Sequence, residues 1–332
     1  MEIHLIFTQN NKLKVSIFNN QFQHGDFKIC FSLVYSIQAV QGGSIVKKVG
    51  RYYEINSEQD EIFFSLQEPR IGSYNLSCGP EGLFVLDKND IKIECKIIPL
   101  KFENPIPKIE YSEDSDKNFN PIIPFPNSLK LKKDTVQIKD LIFKISSSEK
   151  DFFDNFENLI TVSNIRFNTL KGFPILFTKK QLQSEEYKIS IDKNLITIHY
   201  SDYGGKFYSI ISLIQLLNYY ESDLPLGLIQ DSPALNWRGM HLDCARQFYT
   251  IDEIKRLLDY MSFFKLNRFH WHLTDNEAWR VDLECYPNLT KVGAFRGYNE
   301  AIPPFYGTGY DKSGGYYSRT EVKELIEYAK LR

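Results

Sequence analysis

The chain has 332 residues, enough for two or three domains with sizeable cores. Its 42% hydrophobic and 25% charged content is that of a globular protein, and a formal net charge of −2 without any basic tract argues against nucleic acid as a partner. No run approaches about 18 apolar residues, so no membrane-spanning helix is expected. The five cysteines (Cys30, Cys78, Cys95, Cys244 and Cys285) are scattered and include no Cys-x-x-Cys, which argues for buried free thiols rather than a zinc site or disulfide framework.

Residues 1–110 read as all-β. The N-terminus, Met1 to Asn10, has no basic leader and no long apolar core; it is read as a first strand rather than a signal peptide, and the chain is assigned to the cytoplasm by default. Strands are expected at Lys12–Phe18, Phe27–Ser36, Glu61–Leu66, Gly82–Leu86 and Ile91–Ile98, the last alternating apolar and polar residues with the period of a half-buried strand. Turns fall at Gln41-Gly42-Gly43 and Lys88-Asn89-Asp90. A β-sandwich results, and nothing in it specifies chemistry.

Pro105, Pro107, Pro121, Pro124 and Pro126 impose an extended path over residues 103–126, with Glu113–Lys117 as a solvated charge run. A second domain, residues 121–225, carries a hairpin of 186–191 and 195–200 turning at Asp192-Lys193-Asn194. A helix follows Gly204-Gly205, with Phe207, Ile210, Ile211, Ile214 and Leu217 as the face that packs on the sheet.

Residues 232–332 read strand, helix, strand, long loop, helix. Arg238–Cys244 is the first strand. Thr250 with Glu253 forms a capping box for a helix whose face is Ile251, Ile254, Leu257, Leu258, Met261 and Phe264. Arg268–Thr274 is the second strand. Ser318 with Glu321 opens the last helix, with Val322, Leu325, Ile326 and Ala329 as its stripe. These are two βα units, the repeat of a βα barrel, in which polar residues at the C-terminal strand ends carry function.

Arg246 lies just beyond the first of these strands and Asp275 just beyond the second. A guanidinium donates along two edges and a carboxylate accepts along two, so a pair at one rim is suited to holding vicinal sugar hydroxyls. The same pair is equally suited to a rim salt bridge that orders two loops, and the residues alone leave both readings open. A 14% aromatic content also suits a ligand with apolar faces. His270 and His272 point to one side of their strand; with no third ligand evident they read as packed, hydrogen-bonded residues, and no metal is expected. Asp243 reads as a bonding partner for backbone or Arg246. Trp271 and Trp279 read as packing residues. The Asp311–Tyr317 loop is too poor in glycine to cradle phosphate, and no cofactor is expected.

The segments Trp237–Arg246, Lys265-Leu266-Asn267, His270–Asp275 and Pro287–Arg296, continuing to Tyr316-Tyr317-Ser318 and Tyr328-Ala329, resemble the start of the catalytic barrel of glycoside hydrolase family 20, the β-N-acetylhexosaminidases. Pro124-Phe125-Pro126 and Gly205–Leu217 resemble the α+β domain that precedes that barrel. The resemblance covers about residues 120–332. It implies a multidomain α/β protein: an N-terminal β-sandwich (1–110), an α+β domain (121–225) and the first two βα units of an incomplete TIM (β/α)8 barrel (232–332). It also implies hydrolysis of terminal non-reducing β-linked N-acetylglucosamine or N-acetylgalactosamine with retention of configuration. The substrate's own acetamido oxygen is the nucleophile, an aspartate orients that group, and a glutamate protonates the leaving oxygen. Arg246 and Asp275 match the family's sugar-binding residues, whereas Asn276 stands where the family usually has a second acidic residue.

The family's catalytic Asp-Glu pair belongs to a later strand. The Asp-Glu dipeptides of this chain, Asp60-Glu61 and Asp252-Glu253, match neither its context nor its spacing. The expectation is therefore a chain that holds N-acetylhexosamine-terminated glycans but does not cleave them by itself, with a non-catalytic carbohydrate-binding or assembly module as the alternative.

Overall fold

The structure, a computed structural model, describes residues 1–8, 12–67, 79–103, 120–154, 156 and 165–332. Cys78 and the charge run Glu113–Lys117 lie outside them. The chain forms two compact units. The first contains Met1–Tyr111, Asp243–Phe248 and His272–Thr320; the second contains Ser112–Leu242, Tyr249–Trp271 and Glu321–Arg332. This grouping cuts across the three consecutive segments expected from sequence.

In the first unit ten strands form two five-stranded sheets. They are β1 (Glu2–Phe7), β2 (Lys12–Phe18), β3 (Phe27–Ser32), β4 (Ile37–Gln41), β5 (Gly43–Val49), β6 (Tyr52–Ser57), β7 (Glu61–Leu66), β8 (Glu81–Asp87), β9 (Lys92–Ile93) and β10 (Lys96–Phe102). One sheet has the order β10-β1-β2-β7-β4, the other β5-β6-β3-β8-β9. Alternation works as expected in β1, where Ile3, Leu5 and Phe7 turn inward beside Leu13, Val15 and Phe64, against Phe31 and Ile55 of the other sheet.

Two expectations fail here. The strand starting at Phe27 stops at Ser32, and Ile91–Ile98 is not one strand. Its first part, β9, pairs with β8; its second, β10, pairs in parallel with β1 in the other sheet. The chain crosses between sheets at Glu94-Cys95, so a period-2 pattern that looked continuous serves two surfaces, and Ile91 ends up 62% exposed.

The outer face of the β3–β6–β8 sheet is also covered. Cys30, Tyr52, Phe84 and Leu86 form a cluster with Tyr298, Phe305 and Tyr310 from the long loop near the C-terminus. Phe84 meets Tyr298 and Tyr310 edge-on at 5.9 and 5.5 Å. This aromatic docking groups residues 272–320 with the sandwich rather than with the segment they follow.

In the second unit β11 (Ser128–Gln137), β12 (Ile142–Lys144), β13 (Arg166–Asn168), β14 (Phe173–Lys179), β15 (Tyr187–Ile191), β16 (Ile196–Tyr200) and β17 (Asp223–Asp231) form one seven-stranded sheet of order β11-β17-β15-β16-β14-β12-β13. The expected hairpin is β15–β16, paired antiparallel from Tyr187–Tyr200 to Ile191–Ile196. A short helix α1 (Lys150–Asp154) precedes β13. Helix α2 (Tyr203–Tyr220) is capped by Asp202, whose side chain accepts from the Gly205 N–H at 2.9 Å. It was expected to bury one face. Instead every residue from Gly205 to Leu217 is buried. Its apolar residues meet the sheet, while Gln215 donates to the carbonyls of Ile123 at 2.9 Å and Phe263 at 2.8 Å.

Strand β18 (Gly239–Asp243), helix α3 (Ile251–Phe263) and strand β19 (Arg268–His272) follow. The Arg238 carbonyl accepts from Asn267 and Arg268 at one end, and Cys244 N–H donates to the His272 carbonyl at the other, so the bonds step forward along both strands and the pairing is parallel. The capping box of α3 is formed: Glu253 N–H donates to Thr250 Oγ1 at 3.3 Å, and Thr250 N–H to Glu253 Oε2 at 2.7 Å. Thr250→Ala is expected to destabilise the fold by about 1 kcal/mol in urea titrations; an unchanged midpoint would contradict this.

The second strand ends at His272, two residues early. Thr274–Asp275 (β20) turns into a small hairpin with Ala278–Trp279 (β21). Helix α4 (Asn288–Lys291), the short pair β22 (Phe295–Arg296) and β23 (Ser313–Gly314), and helix α5 (Arg319–Lys330) complete the chain. Of the expected α5 stripe Leu325 is buried and Ile326 is 48% exposed. Among the cysteines Cys30 and Cys244 are buried, but Cys95 is half-buried and Cys285 is exposed, so the expected burial holds only in part. No helix among the described residues is long and apolar enough to cross a membrane.

Candidate functional site

Parallel pairing puts the last residues of β18 and β19 side by side, and the two following turns meet. Asp243 closes β18. Its Oδ1 accepts from the N–H groups of Ala245 and Arg246, both at 3.1 Å, which folds the chain back on itself. Its Oδ2 accepts from Arg246 Nη1 at 2.9 Å. The same Nη1 lies 2.7 Å from Asp275 Oδ2, and Nη2 lies 3.3 Å from Glu277 Oε2. One guanidinium thus faces three carboxylates. With 34% and 25% of their side chains exposed, Arg246 and Asp275 remain reachable by a ligand.

Neighbours fix these groups. Asp275 Oδ1 accepts from Asn276 N–H at 2.7 Å, and Oδ2 lies 3.0 Å from His272 Nε2. Tyr306 donates its hydroxyl to Glu277 Oε1 at 2.9 Å. Arg296, itself buried, donates to the Arg246 carbonyl. Below the rim Arg280, fully buried, donates to the carbonyls of Cys244 (2.9 Å), Ala245 (3.2 Å), Gly315 (3.1 Å) and Ala294.

The charges respond accordingly. The Asn276 N–H bond, with Arg246 and His272 beside it, outweighs burial and holds the Asp275 carboxyl below its ordinary 3.8. Burial would lower Arg246, but bonding to Tyr306 and Asp243 and the field of Glu277 raise it, so it stays cationic. Burial, reinforced by Arg296, lowers Arg280 to about 10. Because the folded Asp275 binds its proton less readily than the unfolded one, the stability it adds is complete above about pH 3.9 and is lost as pH falls through the lower folded value. A 13C carboxyl titration of Asp275 is expected to show a midpoint below 3.8; a higher midpoint would contradict the geometry.

Arg246 and Asp275, singled out from sequence, are thus in direct contact. Asp243 bonds backbone and Arg246, as read. His270 does not: it is exposed rather than packed, meeting His241 edge-on at 4.6 Å, because the described strands leave that face of the two-stranded β18–β19 sheet uncovered. Trp279 is half-buried and donates to the Val281 carbonyl at 2.8 Å, a packing role. Sequence reading missed Glu277, Arg280, Arg296 and Tyr306. Glu277 was detectable as a second acid one residue beyond the Asp275-Asn276 turn; the others carry no local signal.

A parallel βα pair with its charged groups at the strand ends is the organisation of βα-barrel enzymes. Residues 235–332 match the glycosyl hydrolase family 20 catalytic domain, and residues 120–232 match domain 2 of the same family. The chain belongs to glycosyl hydrolase family 20 and is a multidomain α/β protein. A β-hexosaminidase of Vibrio furnissii is 38% identical over 160 residues, covering 48% of this chain and 26% of that protein. The N,N'-diacetylchitobiase of Vibrio harveyi is 32% identical over 251 residues, 70% of this chain and 28% of that protein. The matched stretches thus span little more than a quarter of either relative's length. Among solved structures, a GH20 exo-β-N-acetylglucosaminidase of Vibrio harveyi shares the fold over 99% of this chain and 55% of its own, with a TM-score of 0.77 at 23% identity.

Proposed function

We propose that this chain carries the sugar-gripping part of an exo-acting β-N-acetylhexosaminidase, which releases terminal non-reducing β-linked N-acetylglucosamine or N-acetylgalactosamine from glycans with retention. The observation that carries this reading is the Arg246–Asp275 pair, half-buried but reachable at the strand-end rim inside the stretch matched to the catalytic domain. The names of the relatives, β-hexosaminidase and diacetylchitobiase, support the substrate class. In this reading the domains are 1–110, 121–225 and 232–332, and the last holds the first two βα units of an eight-unit barrel.

Binding follows from the donors and acceptors. Three carboxylates around one guanidinium leave an excess of acceptors for hydroxyl protons, while the guanidinium fork donates to hydroxyl oxygens. Neighbouring ring hydroxyls each present one donor and acceptor oxygen, so they are suited to bridging Arg246 and Asp275. Cleavage is assigned to the substrate's acetamido oxygen as nucleophile, with an acid that protonates the leaving oxygen. No residue of this chain is assigned that acid role: Glu253 is committed to the α3 cap, and Glu61 pairs with Lys14 at 2.5 Å on the sandwich.

The test is hydrolysis of an aryl N-acetylglucosaminide. Residues 1–332 alone are expected to give no turnover, and a chain extended through the remaining βα units is expected to cleave with an activity that Asp275→Ala abolishes. An inactive extended chain, or one indifferent to Asp275→Ala, would sink the proposal.

A further inference from the structure

We propose that Tyr306 is a positioning residue for Arg246, and that the N-terminal sandwich sets the geometry of the sugar grip by holding Tyr306. This rests on the reading of Arg246 and Asp275 as sugar-binding residues, and gives the sandwich a role that its own sequence does not specify.

Tyr306 sits in the loop between β22 and β23 at φ 51°, in the left-handed region. A bulky residue persists there only where its surroundings hold it. Those surroundings are largely sandwich. Two guanidinium groups, Arg51 of the sandwich and Arg296, each lie 5.5 Å from the ring centre. The next residue, Gly307, donates its N–H to Ser32 Oγ at 3.3 Å. Gly82, at φ +58°, passes so close that a Cβ there would lie 2.7 Å from both Gly307 C and Gly309 N. Phe305 is seated against the cluster of Cys30, Tyr52, Phe84 and Leu86.

From this anchored position the Tyr306 hydroxyl donates to Glu277 Oε1 at 2.9 Å. Burial, and then the Glu277 carboxylate, push that hydroxyl upward, so it remains a donor at neutral pH. The other oxygen, Glu277 Oε2, is buried and lies 3.3 Å from Arg246 Nη2 without a directed hydrogen bond. Glu277 is thus placed by Tyr306 and stands off from Arg246. Without the hydroxyl, the carboxylate is released to take the guanidinium by two parallel bonds, the preferred geometry of such pairs. That would draw Arg246 away from Asp243 and Asp275.

The experiment uses the full chain with 15N-labelled arginine, the Arg246 guanidinium signals being assigned with Arg246→Lys. In Tyr306→Phe, which keeps the ring, those signals are expected to shift while Tm stays within a few degrees of the parent. Affinity for N-acetylglucosamine is expected to fall about ten-fold, the scale of one hydrogen bond to a charged group. Arg51→Ala should move the same signals less. In a Glu277→Gln background, Tyr306→Phe should shift them less, leaving only the direct effect of the Tyr306 hydroxyl on Arg246. Unmoved Arg246 signals in Tyr306→Phe, or an equal shift without Glu277, would overturn the proposal. A parent chain that binds no sugar would overturn the sugar reading instead, with the Arg246 signals still deciding the role of Tyr306.

Discussion

Replacing Arg280 with methionine is expected to cost at least about 4 kcal/mol, beyond the range of ordinary single substitutions. The guanidinium is fully buried and donates to four backbone carbonyls, those of Cys244, Ala245, Ala294 and Gly315. Methionine fills much of the volume but donates to none of them; the Ala294 carbonyl keeps the Gly315 N–H at 3.2 Å, and each buried acceptor that is left unpaired costs roughly 1–3 kcal/mol. The four carbonyls come from three separate stretches, so no local rearrangement replaces the lost donors. Arg280→Lys is expected to fall between parent and methionine variant, because a single ammonium with three donors lacks the planar fork. Urea unfolding with a shift in midpoint is the measurement; a loss under about 1 kcal/mol in Arg280→Met would contradict the role given to this residue.

Asp275→Ala and Arg246→Ala are expected to weaken N-acetylglucosamine binding by about a hundred-fold each, the equivalent of one or two charge-assisted hydrogen bonds. Their cost to stability should be small, since ion pairs that are partly open to solvent contribute little. The contrast separates the two roles that residue chemistry alone left open. A sugar grip loses affinity and keeps stability. A salt bridge that merely orders two loops loses stability and changes binding only to the extent that the loops move. Calorimetric titration with the sugar, run beside urea unfolding on the same variants, gives both numbers. Affinity unchanged in Asp275→Ala would remove this residue from the grip.

The features that were legible in the residue order share a short range. Lys12–Phe18 and Glu61–Leu66 were bounded correctly because a few alternating residues and their turns specify a half-buried strand. The α3 capping box is contained within four residues. Arg246 and Asp275 were found because each directly follows a recognisable strand, and parallel pairing of those strands brings their ends together. The failures have a longer range. The split of Ile91–Ile98 depends on which sheet each half joins, and both choices satisfy the same alternation. The burial of α2 on all sides depends on what covers the face away from its sheet.

The site divides in the same way. Its chemistry, a guanidinium and a carboxylate at neighbouring strand ends, was determined by the residue sequence, since strand order and the polar residue after each strand are local properties. Its rigidity was decided only by the tertiary structure. Arg280, Arg296 and Tyr306 act on main-chain carbonyls and a carboxylate across 14 to 50 positions of chain. A cation buried among carbonyls, or a tyrosine ring with two guanidinium groups beside it, has no periodicity and no cap to announce it; each exists only where distant stretches of the chain have already come together and aligned the partners.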